Sequence, residues 1–312
     1  MDVRRDIEYL SRFPIIGKFL GECIEKEFAS GRKEHPLFHC LSKGEPDWKK
    51  IESVKTRKDD MTTFVIVPEL RVHHDILVNL DRNMKTLCNK PNFGTILEHL
   101  RKSSSFWQGY SEVEAAALFE RFFGRIDLEP HLKNRNSVDF AFPMNDKKVY
   151  VEVNTPKMGQ KFKDALMENA VGIDKQPKAY TPPDSTDRTK DVILAEFEHF
   201  KGAEVPSLVL YDFSQCELRG TDLVDRFLGT FYAVIYTDKQ TGKSHFESKR
   251  KPDSVIINDP DLEYLGGIIC YGRDFNIEGQ VVYDPLDLIG IAFPIEVMEK
   301  IAKPFIKIHG SN

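Results

Sequence analysis

The sequence predicts an α/β (α+β) protein, with a mixed central sheet flanked by helices and a mainly helical N-terminal region. Three observations predict it. Residues 1–105 carry apolar side chains at helical spacing. Residues 111–156 pass from a helical pattern into strands of period two joined by a turn. Residues 188–212 then repeat the order of helix followed by a short apolar strand. The chain divides accordingly into a helical region, 1–105, and a core with a C-terminal strand and helix extension, 106–312.

In the first region, Ile7, Leu10, Phe13, Ile16, Phe19, Leu20, Cys23 and Ile24 recur at helical spacing. Pro14 must start or kink a segment there. A second helical stretch covers 64–87, which Pro68 divides, and a third covers 93–101. The region reads as a helical cap packed on the core. Two stretches, Glu34-His35-Pro36-Leu37-Phe38-His39-Cys40 and Arg71-Val72-His73-His74-Asp75, bring potential zinc ligands close together. Neither has the second half that a site of about four ligands needs, so they read as surface or core histidines.

Ser111 is placed to cap a helix, and Glu114 three residues later completes a capping-box pattern. That is one role for Glu114; the other is a functional carboxylate. If Glu114 caps, Glu112 or Glu120 could take the functional place. Gly124 has the position of a C-cap glycine, and 125–130 reads as a first strand.

In Val149-Tyr150-Val151-Glu152-Val153-Asn154 the three valines share one face of a strand, and Tyr150, Glu152 and Asn154 share the other. In 138–142, Val138, Phe140 and Phe142 take one face and leave Asp139 and Ala141 opposite. The intervening 143–148 has turn chemistry. The strands form a hairpin, and Asp139 and Glu152 fall on the same face of neighbours. Two carboxylates held close repel unless a proton or cation lies between them. A hard divalent cation with oxygen ligands suits the place.

An acidic helix, an Asp on a strand, a short turn and a Glu-x-(Lys) strand resemble the PD-(D/E)xK nuclease superfamily, the restriction-endonuclease-like fold. Ser137-Val138-Asp139 stands where that pattern has Pro-Asp, and Glu152-Val153-Asn154 where it has Glu-x-Lys. Glu114 matches the glutamate often found on the first core helix. The resemblance implies a metal-dependent nuclease, with DNA preferred over RNA. Asp139, Glu152 and the Val153 carbonyl would hold Mg²⁺ or Mn²⁺, with Glu114 as a further ligand. There is one departure: Asn154 replaces the family's lysine. Asparagine can orient a water but carries no charge and is no base at neutral pH. Lys157, three residues on, could reach back, so Asn154 or Lys157 would orient the water.

After Asn154 comes a long irregular stretch, 155–187, with Lys157, Lys161 and Lys163 close to the proposed site. They could meet phosphates, although a lysine run is more often a solvated face. A helix at 188–200 and a buried strand at 206–212 follow, then a helix at 221–228. Residues 230–236 and 244–248 flank a loop with hairpin chemistry. Gly242-Lys243-Ser244 resembles a phosphate-binding loop, but Thr237 stands where its first glycine should be. Strands at 265–271 and 280–283 extend the sheet at its edge.

Composition sets the limits. In 312 residues, 41% hydrophobic content is enough for a sizeable core. The net charge of −5 excludes a general polycation and leaves room only for a local basic groove. Five scattered cysteines without CxxC spacing point away from a disulfide framework and toward a reducing compartment. Neither a signal-type apolar core nor a bilayer-spanning run appears, so the expected place is the cytoplasm, with nucleic acid as the partner and no membrane. Two other readings stand beside the nuclease. One is a catalytically degenerate nuclease-fold module that binds nucleic acid or a protein partner. The other is an unrelated α+β protein with solvated carboxylates, which a one-residue slip of the hairpin would favour.

Overall fold

Pro14 opens the first helix because proline is pre-organised for that position and lacks only an N–H that has no partner there. The computed structural model describes residues 8–30, 35–55, 60–134, 136–155, 199–200, 204–214, 231–237, 244–250 and 264–306. In it, α1 runs Pro14–Ser30, followed by α2 (Pro36–Lys43), α3 (Trp48–Lys55), α4 (Asp60–Leu87) and α5 (Phe93–Arg101). The expected break at Pro68 does not occur: α4 is continuous from Asp60 to Leu87. Its later turns bury Leu77, Leu80, Met84 and Leu87, and that packing outweighs one missing backbone donor.

The acidic helix, α6, also starts earlier than expected, at Phe106, with Ser105 in the N-cap position. Ser111 is therefore mid-helix, and the capping-box role for Glu114 is overturned. Gly109 obscured the start. A helix-interior glycine costs about 1 kcal/mol against alanine, but here a Cβ would lie 2.8 Å from the His99 Cβ and 2.9 Å from the Leu100 backbone nitrogen. The glycine allows α5 and α6 to cross closely, and it sets His99 against α6.

The main sheet contains β1 (Asp127–Leu128), β2 (Phe140–Met144), β3 (Lys147–Asn154), β4 (Ser207–Asp212), β7 (Leu265–Phe275) and β8 (Val281–Gly290), in the order β1-β2-β3-β4-β7-β8. β5 (Phe231–Thr237) and β6 (Ser244–Arg250) form a separate antiparallel pair. The β2–β3 hairpin turns through Asn145 at φ 54°, a left-handed conformation that asparagine tolerates. β3, β4 and β7 run parallel, and β4 is buried throughout, as a central strand covered on both faces must be. Three strand expectations change. β1 is two residues rather than 125–130. β7 and β8 are longer than expected, and β7 lies inside the sheet while β8 takes the edge. The expected helix at 221–228, nearly all of the one at 188–200 and the loop at 156–187 lie outside the described residues.

One face of the sheet presents Phe140, Phe142, Val149, Val151, Val153, Leu208 and Leu210 to α6 and to a last helix, α7 (Ile295–Ile306). Ile16, Leu20, Leu80 and Met84 join the same cluster, so the helical region and the sheet share a core. The other face buries Val138, Val209, Tyr211, Ile268 and Cys270. Val138 thus leaves the face of Phe140 and Phe142, contrary to strict alternation. The chain departs from the ladder before Phe140, where the Glu129 and Val138 N–H groups bond the Asp139 and Pro130 carbonyls instead.

Candidate functional site

Register builds the site. β2 pairs with β3 as Phe140↔Val151, Ala141↔Tyr150 and Phe142↔Val149, and Asp139, just before the ladder begins, lies close enough to Glu152 to feel its charge. The Val153 N–H donates to Asp139 Oδ2 at 2.7 Å and fixes that carboxyl against β3. Asp139 is 8% exposed and Glu152 7%. Burial pushes the Asp139 carboxyl well above its ordinary range. The charges of Glu152 and Glu112 push it further, and the Val153 N–H opposes them. His199 Nδ1 lies 3.2 Å from Glu152 Oε1. Asn154 is buried on β3 two residues beyond Glu152, beside Tyr211 of β4.

The helix carboxylate near this pair is Glu112, not Glu114. Residues two apart on a helix point about 200° apart, and α6 uses both directions. Glu112 Oε1 and Oε2 lie 3.0 and 2.9 Å from His99 Nδ1. The hydrogen bond to Glu112 raises the His99 pKa, against burial. Gln108, one turn before Glu112, ties the group together. Its Nε2 donates to Glu112 Oε1 at 2.8 Å and to the Val153 carbonyl at 2.6 Å, and its Oε1 accepts from the Thr155 N–H at 2.8 Å. The carbonyl expected to bind metal is therefore hydrogen-bonded to a side chain.

Glu114 faces the other way, into a buried ion cluster. Arg273 of β7 donates from Nε to Glu114 Oε2 and from an Nη to Asp212 of β4. Asn79 of α4 donates to Glu114 Oε1 at 2.6 Å, and Ser111 donates to Asp212 Oδ2 at 2.5 Å. The guanidinium carbon lies 4.5 Å from the centre of the Tyr110 ring. Burial works against the Arg273 charge, yet Asp212 and Glu114 hold its pKa well above the ordinary value.

The structure thus brings Asp139, Glu152 and Asn154 to one end of β3 and leaves Glu114 elsewhere. Lys157, Lys161 and Lys163 lie outside the described residues. Among the described residues, no three or more His, Cys, Asp or Glu side chains form a group that could hold a metal ion. The donor set expected for Mg²⁺ or Mn²⁺ is incomplete there: Glu114 is spent on Arg273, and the Val153 carbonyl on Gln108.

The histidine stretches have packing roles. His35 Nδ1 accepts from the Leu37 N–H at the start of α2, with its Nε2 2.9 Å from the Leu100 carbonyl. His74 pairs with the Tyr9 hydroxyl at 2.7 Å. No helix among the described residues is long and apolar enough to cross a membrane.

Comparison with protein-family models, curated proteins and solved structures finds no match to this chain.

Sequence reasoning missed Gln108, His99 and Arg273. Gln108 and Glu112 have the i,i+4 spacing of one helix face, but a helix begun at Ser111 excludes Gln108. No local signal ties Arg273 to α6.

Proposed function

We propose that the chain is a catalytically degenerate nuclease-fold module that binds nucleic acid or a protein partner without cutting it. The observation that carries this reading is Asn154, buried near Glu152 where the resemblance expects a lysine. A neutral amide cannot offset charge developing on a phosphate or act as a base. The incomplete donor set supports the same reading. With a net charge of −5, the chain would meet nucleic acid through a local surface, not through a general field.

A metal-dependent nuclease, with DNA preferred over RNA, is the second reading. It is favoured by the closeness of Asp139 and Glu152, since burying two adjacent carboxylates is costly and a pure binding fold has no need of it. In that reading Lys157 replaces the missing lysine.

Electrophoretic shift and cleavage of plasmid, single-stranded DNA and RNA, each with Mg²⁺, Mn²⁺ or EDTA, separate the two. The expected result is retention of one polymer in EDTA and no cleavage in any lane. Metal-dependent cutting that disappears in Asp139→Ala and Glu152→Ala would overturn the degenerate reading, and its loss in Lys157→Ala would locate the migrated lysine. No retention of any polymer would leave a protein partner as the ligand of the module.

A further inference from the structure

We propose that the Gln108 side-chain amide plugs a latent divalent-cation site: it sits between the Glu112 carboxylate and the Val153 carbonyl, and its removal lets a cation take its place. The inference rests on the nuclease-fold reading above.

The orientation of the amide follows from its neighbours. The Thr155 N–H can only donate, so the atom it meets at 2.8 Å is the amide oxygen. The NH₂ group must then face the other way, where it finds two acceptors, Glu112 Oε1 at 2.8 Å and the Val153 carbonyl at 2.6 Å. Both of its hydrogens are used, and the amide is satisfied on every side. One turn of α6 separates Gln108 from Glu112, so the helix itself presents the plug and one of the ligands together.

Those two oxygens are also what a hard cation needs. Mg²⁺ binds oxygen at about 2.0–2.1 Å, and usually keeps several waters beside one or two carboxylates. A carboxylate oxygen and a carbonyl oxygen that both reach one nitrogen are close enough for one ion to bridge after a small inward movement. Asp139 lies close enough to Glu112 and Glu152 to feel their charges, so further carboxyl oxygens stand beside the position. The amide group supplies donors without charge. It satisfies the oxygens while blocking the position of an ion.

A purely structural role for Gln108, fastening α6 to the end of β3, predicts a different result, because a lost clamp lowers stability without creating affinity for a cation. Mn²⁺ binding to the full chain is therefore the readout. Calorimetry, together with the electron paramagnetic resonance of free Mn²⁺, would compare wild type with Gln108→Ala, Gln108→Glu and Gln108→Ala/Asp139→Asn, with thermal melts checking that each folds. We expect one Mn²⁺ site in Gln108→Ala, at least tenfold tighter than any in wild type and lost in the double variant. Gln108→Glu keeps an oxygen for the Thr155 N–H and replaces the donor group by another ligand, so it should also bind, and it carries the test if the alanine variant does not fold. If neither folded single variant binds Mn²⁺ more tightly than wild type, the plug is overturned. Should wild type already bind tightly, with loss in Asp139→Asn, the degenerate reading falls as well. Absence of Mn²⁺ binding in every protein overturns the plug alone, since retention of nucleic acid in EDTA tests the module separately.

Discussion

Helix α6 has a buried acidic cluster on each side, and the two are neutralised in different ways. On one side Glu114 and Asp212 share Arg273, which is 4% exposed and rests on the Tyr110 ring. On the other, Glu112, Asp139 and Glu152 gather around the end of β3. There the described partners are an amide, a backbone N–H and the imidazoles of His99 and His199. The first cluster carries its own permanent cation. The Asp139 carboxyl is buried and stands among negative charge, and although it accepts the Val153 N–H it resists ionisation as a result. Charge matched inside the protein reads as structure. Carboxylates whose described partners are imidazoles and neutral donors keep a charge that depends on protons.

Removing Arg273 is the largest way to break this contrast. Arg273→Met leaves Glu114 and Asp212 buried without their cation. Breaking a buried pair from one side costs about 3–5 kcal/mol, so urea unfolding should show a loss of that order. Adding Glu114→Gln and Asp212→Asn should recover much of it, because the cost lies in the orphaned charges. If Arg273→Met is nearly neutral, the cluster is not the structural one and the comparison fails.

Much of the sheet was legible in the sequence, and the orientation of the helix was not. Residues 149–154 alternate apolar and polar side chains, which was enough to place Asp139 and Glu152 on one face of a hairpin, although its turn is tighter than the 143–148 expected, since the strands run to Met144 and from Lys147. The buried β4 was legible for a different reason, as a short continuous apolar run. The start of α6 depended on the close approach of α5 at Gly109, a tertiary fact. The choice of functional glutamate went with it, since Glu112 and Glu114 are separated by about 200° of helix rotation. Arg273 stands 159 residues from Glu114, so no window of sequence pairs them. Tertiary packing decided which acidic residue belonged to which cluster, and only the carboxylates on or just beside the β2–β3 hairpin could be assigned beforehand.

A smaller change sharpens the other side of the contrast. Asp139→Asn keeps an oxygen for the Val153 N–H and removes a charge from among Glu152 and Glu112. The native pKa of Asp139 is raised above its ordinary 3.8. As pH climbs past about 4, the unfolded chain gives up this proton and the native protein holds it, so the group costs stability until the native carboxyl ionises too. The variant should therefore match wild type near pH 3 and exceed it at pH 8 by roughly 1 kcal/mol, within the ordinary range for single substitutions. Urea midpoints at the two pH values provide the check. A variant less stable than wild type at pH 8 would mean that a cation already balances Asp139, and the two clusters would then be alike.

The smallest effect belongs to His99, at the solvent edge of the second cluster. Its side chain is 40% exposed, so its pairing with Glu112 is screened and worth at most about 1 kcal/mol. Its native pKa is raised, chiefly by the hydrogen bond to Glu112, and the sign is opposite to that of Asp139. The stabilisation is complete below the ordinary histidine value of 6.5 and is lost as pH rises through the native pKa. His99→Gln should accordingly cost most near pH 5.5 and little at pH 9. Titrating the imidazole ¹⁵N shifts in wild type would locate the transition independently of unfolding. The same titration in Glu112→Gln should return the midpoint toward the ordinary value. If the midpoint does not move, His99 is answering the wider negative field of the cluster, not Glu112 alone, and the proton that balances this side of α6 is shared across the cluster.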